Sequence, residues 1–201
     1  METAERNKIS IVIVAVPERL ERAQYMQEKL DALIVLDENH MGALYNHIRA
    51  LKLLEKIGRR GIVMEDDCRV SVTFREDAEK ILSAYPDDLV SFYLGKGAPA
   101  YIQPLIRQKL AAAHDGIYLP SLIHAVCYSI PNNEIKKVIY NIADNGSHQS
   151  DSSISRAYRK NVWYPIPSLV DHIDAKSVAI HHGTRPKVGE RVAWVPPQNC
   201  W

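Results

Sequence analysis

The chain has 201 residues, 46% of them hydrophobic and 24% charged, with a formal net charge of +1 at pH 7. That length accommodates one compact α/β domain and is tight for two, and its apolar content supports a core, which excludes a chain disordered throughout. The near-neutral balance excludes a strongly basic nucleic-acid coat and an acidic tail.

Ile9–Val16 is an apolar run interrupted only by Ser10. It is too short to span a bilayer and reads as a strand covered on both faces, ended by Pro17. The preceding METAERNK lacks the apolar stretch of a secretion signal, so a cytoplasmic protein without a membrane partner is expected. Glu18–Leu33 places Leu20, Ala23, Met26, Leu30 and Leu33 at helical spacing. Ala32–Leu36 reads as a second strand closing on Asp37. Gly42–Ile57 is an amphipathic helix with Leu44, Ile48, Leu51 and Leu54 inward, Arg49, Lys52, Glu55 and Lys56 outward, and Gly58 as its stop. Gly61–Met64 is a third strand running straight into Glu65-Asp66-Asp67. This β-α-β-α-β opening predicts a mostly parallel sheet with helices on its faces.

Further along, Glu76–Tyr85 reads as a helix, Asp88–Leu94 as a strand, Gly95-Lys96-Gly97 as a loop and Tyr101–Ala113 as a helix entered through Pro104. Gly116–Leu119 and His124–Ile130 are strands. Asn133–Ala143 is a helix with Ile135, Val138, Ile139 and Ile142 inward. Asn145–Ser150 is a polar loop, Asp151–Lys160 a short helix and Val162–Tyr164 a short strand. After Pro165 the pattern loosens, and Pro167, Pro186, Pro196 and Pro197 punctuate a tail read as wrapping over the domain. Cys68, Cys127 and Cys200 form no CxxC pair, which points to a reducing compartment, and Cys68 and Cys127 read as buried small hydrophobes. Residues 152–201 hold seven Lys/Arg against three acids, an asymmetry that a polyanion could use and that an ordinary solvated surface also explains.

Three local signals carry chemistry. Glu65-Asp66-Asp67 ends an apolar strand, where parallel α/β sheets place ligands. Adjacent carboxylates repel unless a cation neutralises them, and their hard oxygens suit Mg²⁺ or Mn²⁺ held against a diphosphate. The plain alternative is a solvated strand-to-loop turn. Pro167-Ser168-Leu169-Val170-Asp171-His172 offers a late histidine as a metal ligand or diphosphate contact, or as a structural residue. Asp151, at a helix start, is an N-cap or a general base.

In this order, these segments resemble the GT-A glycosyltransferases and the lipopolysaccharide-type glycosyltransferases with an EDD motif. Ser91-Phe-Tyr-Leu-Gly95, His124-Ala-Val126, Ser168–His172 and Arg191-Val-Ala-Trp194 resemble small bacteriophage-encoded glycosyltransferases, some of which modify hydroxymethylated pyrimidines in DNA. The resemblance runs from Ile9 to Trp194. It implies a GT-A, Rossmann-like α/β single domain with a mostly parallel mixed sheet flanked by helices. Residues 1–95 would form a nucleotide-sugar-binding half, 96–175 an acceptor and catalytic half, and 176–201 a wrapping tail. It implies Asp67 and His172 as ligands to Mn²⁺ or Mg²⁺, Glu65 and Asp66 as contacts to the donor's ribose and base, and Asp151 as the base of an inverting transfer. Arg19 and Asp37 fall at donor-contacting places. Related sequences often carry paired acids at the helix start, where this chain has Ser150 before Asp151.

The implied reaction moves a sugar from a nucleotide-sugar, a UDP-sugar foremost, to a hydroxyl, with 5-hydroxymethylcytosine or 5-hydroxymethyluracil in phage DNA as acceptor. Lys96, His124 and Arg185 are candidate acceptor contacts, with His181-His182 nearby in sequence. Trp163, Tyr164 and Trp194 are stacking candidates or core residues. Three alternatives remain at this level: a glycan acceptor, a metal-dependent nuclease using Glu65–Asp67, and a non-catalytic DNA-binding module. The strand carries no lysine placed as a nuclease base, and the neutral overall charge disfavours a DNA-binding module.

Overall fold

The structure is a computed structural model, and it describes residues 9–97, 99–143, 149–173 and 192–201. Strand β1 (Ser10–Ala15) is buried along its whole length. After a 3₁₀ turn at Pro17–Arg19 comes helix α1 (Leu20–Leu30), which stops where Asp31 takes a left-handed conformation (φ 47°). Leu33, assigned to this helix by its spacing, instead opens strand β2 (Leu33–Leu36) and is 44% exposed, because β2 is the edge of the sheet. Helix α2 (Ala43–Ile57) starts after Gly42 (φ 104°) and ends on Gly58 (φ 75°), whose N–H caps the carbonyls of Leu54 and Glu55. Strand β3 (Gly61–Glu65) follows, and then a short strand, β4 (Cys68–Val70), where the sequence suggested none.

Helix α3 (Phe74–Ala84) precedes strand β5 (Leu89–Ser91). The expected helix Tyr101–Ala113 is a 3₁₀ turn at Ala100–Ile102 followed by helix α4 (Gln103–Leu110). Strands β6 (Gly116–Leu119) and β7 (Cys127–Ser129), helices α5 (Asn132–Ala143) and α6 (Ser150–Tyr158), and strands β8 (Val162–Pro165) and β9 (Val170–His172) complete the order. β9 corrects the reading of that stretch as loosely patterned.

The main sheet is ordered β2-β1-β3-β7-β5-β8-β6. β1 pairs in parallel with both β2 and β3, and β5 with β8; β7 runs against β3 and β5, and β6 against β8. Five strands therefore run one way and two the other, the mixed, mostly parallel α/β sheet that the alternating pattern predicts.

Alternate side chains of the central strands enter opposite faces. Val12, Val14 and Val63 pack with Ala50, Leu51 and Leu54 of α2, Ile135, Val138 and Ile142 of α5, and Ile154 of α6. Ile11, Ile13, Ile62 and Met64 pack with Ala23, Met26 and Leu30 of α1 and with Phe74, Ala78 and Leu82 of α3. Both faces are covered, which is why β1 and β3 read as continuous apolar runs. Trp163 and Tyr164 belong to these cores, as do Cys68 and Cys127.

A second, two-stranded sheet pairs β4 with β9 antiparallel, Cys68 opposite His172 and Val70 opposite Val170. Residues 192–201 lie against this part of the molecule. Ala193 bridges Gly95, Cys200 bridges Ser71, and Val70 and Trp201 exchange backbone hydrogen bonds at 3.3 and 3.1 Å.

A candidate metal centre at the end of the third strand

The site is assembled from three segments. β3 delivers Glu65, Asp66 and Asp67 to the carboxyl end of the parallel strands, and the β4–β9 pairing brings His172 alongside. Ile173 N–H donates to the Asp67 carbonyl at 2.9 Å and locks that approach. His172 Nε2 lies 3.4 Å from Asp67 Oδ2. Glu65, Asp67 and His172 each present a ligand atom within 4.8 Å of the others. This brings Glu65 into a group with Asp67 and His172, beside the role in donor contact implied for it by resemblance.

Two features of this group fit a cation. His172 Nδ1 is 2.7 Å from the Ile173 carbonyl, so Nδ1 donates there and Nε2 is the ring atom that faces Asp67. Asp67 is 6% exposed, and among the described residues its Oδ1 has no hydrogen-bond partner. Burial, with Glu65 repulsion next, pushes the Asp67 carboxyl above its ordinary range, while His172 and Arg19 pull it back. Two carboxylates and an imidazole form a donor set suited to Mn²⁺ or Mg²⁺.

The first turn after β1 supplies the counter-charge. Arg19 Nη1 donates to Asp66 Oδ1 at 2.9 Å and to Asp67 Oδ2 at 2.7 Å. Arg22 Nε donates to the Asp66 carbonyl at 3.0 Å and its Nη2 to the Cys68 carbonyl. Pro17, Glu18, Arg19 and Arg22 border a cavity of about 570 Å³. Asp66 is held by the chain itself: Oδ1 takes Arg19 and Oδ2 takes the Val16 N–H at 3.0 Å, fastening the end of β1 to the end of β3. Asp37 is likewise engaged. Its two carboxylate oxygens accept the N–H groups of Met41 and Gly42 at 2.9 and 2.8 Å and shape the loop into α2.

Asp151 is the second residue of α6, whose N-cap is Gln149, so the N-cap assignment does not hold. Its Oδ1 accepts the Ser152 N–H at 2.6 Å. Burial raises its pKa above the usual range, two Ser152 hydrogen bonds lower it, and the charges of Glu65 and His47 also act on it.

The acceptor candidates lie further out. His124 is half-buried, its ring edge-on to Tyr93 at 5.3 Å, and Tyr93 in turn lies 6.3 Å from the His172 ring. Lys96 is exposed, with Nζ 5.7 Å from the Trp194 ring, and Arg107 reaches the same ring at 5.8 Å. Trp194 Nε1 donates to Gln103 Oε1 at 2.8 Å, and these residues line a cavity of about 390 Å³. Arg185 and His181-His182 lie outside the described residues.

Sequence reasoning missed four polar residues around the centre: Arg22, Asn46, His47 and Tyr128. Asn46 and His47 share the inner face of α2 with Ala50, Leu51 and Leu54, and polar residues on a buried helical stripe were the available signal. Asn46 Nδ2 donates to the carbonyls of Ala15 (3.2 Å) and Val35 (2.9 Å), joining the ends of β1 and β2.

No family model and no curated protein matches the chain. Among solved structures it is similar to a UDP-glucose pyrophosphorylase complexed with UDP-glucose, at 9% sequence identity and a TM-score of 0.45, over 82% of this chain and 75% of that one. Similarity at that level carries no weight for activity. Among the described residues, no helix is long and apolar enough to cross a membrane.

Proposed function

We propose that the chain is a metal-dependent glycosyltransferase that moves a sugar from a nucleotide-sugar, a UDP-sugar foremost, to a hydroxyl acceptor. The observation that carries this is the junction of Glu65, Asp67 and His172 at the end of β3, with the buried Asp67 Oδ1 unpartnered among the described residues. Glu65, Asp67 and His172 would hold Mn²⁺ or Mg²⁺, which when bound supplies charge stabilisation for a leaving diphosphate. Arg19 adds a fixed positive charge beside Asp66 and Asp67. Asp151 accepts the proton of the acceptor hydroxyl as its oxygen bonds to the anomeric carbon and the bond to the diphosphate oxygen breaks. A base in that role contributes about 10²–10⁴-fold. Attack opposite the leaving group gives inversion.

The acceptor is assigned to hydroxymethylated pyrimidines in DNA, supported by the likeness to phage enzymes in the motifs. A base in a duplex must be flipped out, at a cost of a few kcal/mol. The test is incubation with UDP-sugars and Mn²⁺, offering DNA with 5-hydroxymethylcytosine or 5-hydroxymethyluracil and, separately, oligosaccharides, followed by mass spectrometry of nucleosides and glycans. A hexose- or pentose-sized gain on the modified base, abolished by EDTA, is expected. A gain on the oligosaccharide alone replaces the acceptor and keeps the reaction. DNA cleavage with Mg²⁺ and no donor turnover replaces both with the nuclease reading.

A further inference from the structure

Behind Glu65 lies a line of buried polar groups that none of the roles above uses. His47 Nε2 is 3.3 Å from Glu65 Oε1, and His47 Nδ1 is 3.1 Å from the Tyr128 hydroxyl. His47 is 1% exposed and Tyr128 is fully buried, their rings stacked at 5.7 Å and 22°. The two come from different layers: His47 from the inner face of α2, and Tyr128 from β7, which runs antiparallel to β3 with Tyr128 opposite Val63.

The proton positions follow from the chemistry of the groups. An ionised carboxylate only accepts, so the hydrogen facing Glu65 sits on His47 Nε2. Nδ1, on the other side of the ring, meets the Tyr128 hydroxyl at 3.1 Å in a fully buried place. Burial holds the Tyr128 hydroxyl well above its ordinary pKa, so it keeps its hydrogen. Tyr128 Oη, the His47 ring and Glu65 Oε1 thus form one hydrogen-bonded line.

We infer that His47, oriented by Tyr128, is a positioning residue that fixes the Glu65 carboxylate for cation binding; this rests on the metal reading proposed above. Glu65 is the most exposed of the three ligand candidates, and the buried His47 ring lies directly behind it. Partners of this kind behind a ligand are worth about 10–100-fold in metal affinity.

The test is titration with Mn²⁺ alone, free and bound ion read by electron paramagnetic resonance, on the full chain and its D67N, Y128F, H47M and H47Q forms, with circular dichroism to verify folding. Y128F removes only the hydroxyl and keeps the ring stack. The expected result is Mn²⁺ binding by the parent chain, its loss in D67N, and Mn²⁺ binding about tenfold or more weaker in Y128F and H47M. H47Q, which restores an N–H donor toward Glu65, recovers part of the affinity, a rescue that a merely structural histidine would not show. Parent-like affinity in folded Y128F and H47M overturns the positioning role and leaves the metal site standing. No Mn²⁺ binding by the parent chain overturns the metal site and this inference with it.

Discussion

Replacement of Asp67 by Asn separates function from stability at one residue. The Asp67 carboxyl is 6% exposed, its Oδ1 lacks a partner among the described residues, and burial and Glu65 both disfavour its charge. A carboxyl raised in the fold is most costly when ionised. In the metal-free protein its contribution therefore falls as pH rises from the ordinary carboxylate value through the raised one, and stays unfavourable above it. Asn keeps a polar group at this place and loses the ion pair with Arg19, but it removes a buried charge repelled by Glu65, so a net gain of about 1 kcal/mol is expected. For a domain of this size about 1 kcal/mol moves Tm by roughly 2–4 °C. Asp67→Asn should therefore melt that much higher in EDTA at neutral pH. The parent chain should respond oppositely to metal: Mn²⁺ at a hundredfold excess over its Kd adds about 2.7 kcal/mol, a rise of roughly 5–10 °C. Scanning calorimetry of both proteins, with EDTA and with Mn²⁺, reads all four values. Equal Mn²⁺ shifts in the two proteins, or a marked loss of Tm for Asp67→Asn in EDTA, would refute the assignment of Asp67 as a strained ligand.

Asp151 must be ionised to act as a base, and burial raises its pKa. The acid limb of kcat/KM should therefore lie above the ordinary Asp range, activity being lost as pH falls through it, and Asp151→Asn should lower kcat at least a hundredfold, about the smaller end of a base's contribution; a parent-like pH profile in Asp151→Asn assigns the base elsewhere. Arg60 is a structural counterpart, its guanidinium pulled down to about 10 by burial and donating to Ser129 Oγ and to the carbonyls of Tyr85, Pro86 and Asp88. Arg60→Ala should cost about 2–3 kcal/mol in a urea melt, and a cost below half of that would show that water replaces it. A Cβ at Gly116 would lie 2.6 Å from the Tyr164 carbonyl oxygen and 2.7 Å from Trp163 Cε2, so Gly116→Ala should destabilise the β6–β8 edge by about 1–3 kcal/mol, measured by the same melt.

The layered α/β class is legible in the apolar runs alone. The apolar runs Ile9–Val16 and Gly61–Met64 have no polar alternation, and only a sheet covered on both faces accepts that. Acids at a strand's end and at a helix's start singled out Asp67 and Asp151 as candidates, and a late histidine after a carboxylate singled out His172. Periodicity could not show what depends on pairing between distant segments. β4 and β9 are three residues each and carry no period of their own, yet their register puts His172 across from Cys68 and next to Asp67. The grouping of Glu65 with His172 rather than with Asp66 follows from that register together with side-chain direction: Asp66 turns back to Val16 and Arg19. His47 and Tyr128 looked like ordinary helix and strand positions, and only the packing of α2 over β3 and β7 brought them into one line behind Glu65. Local pattern fixes which faces of each element are buried. Which buried polar groups meet is decided when the layers close, since each must find its hydrogen-bond partner on another element.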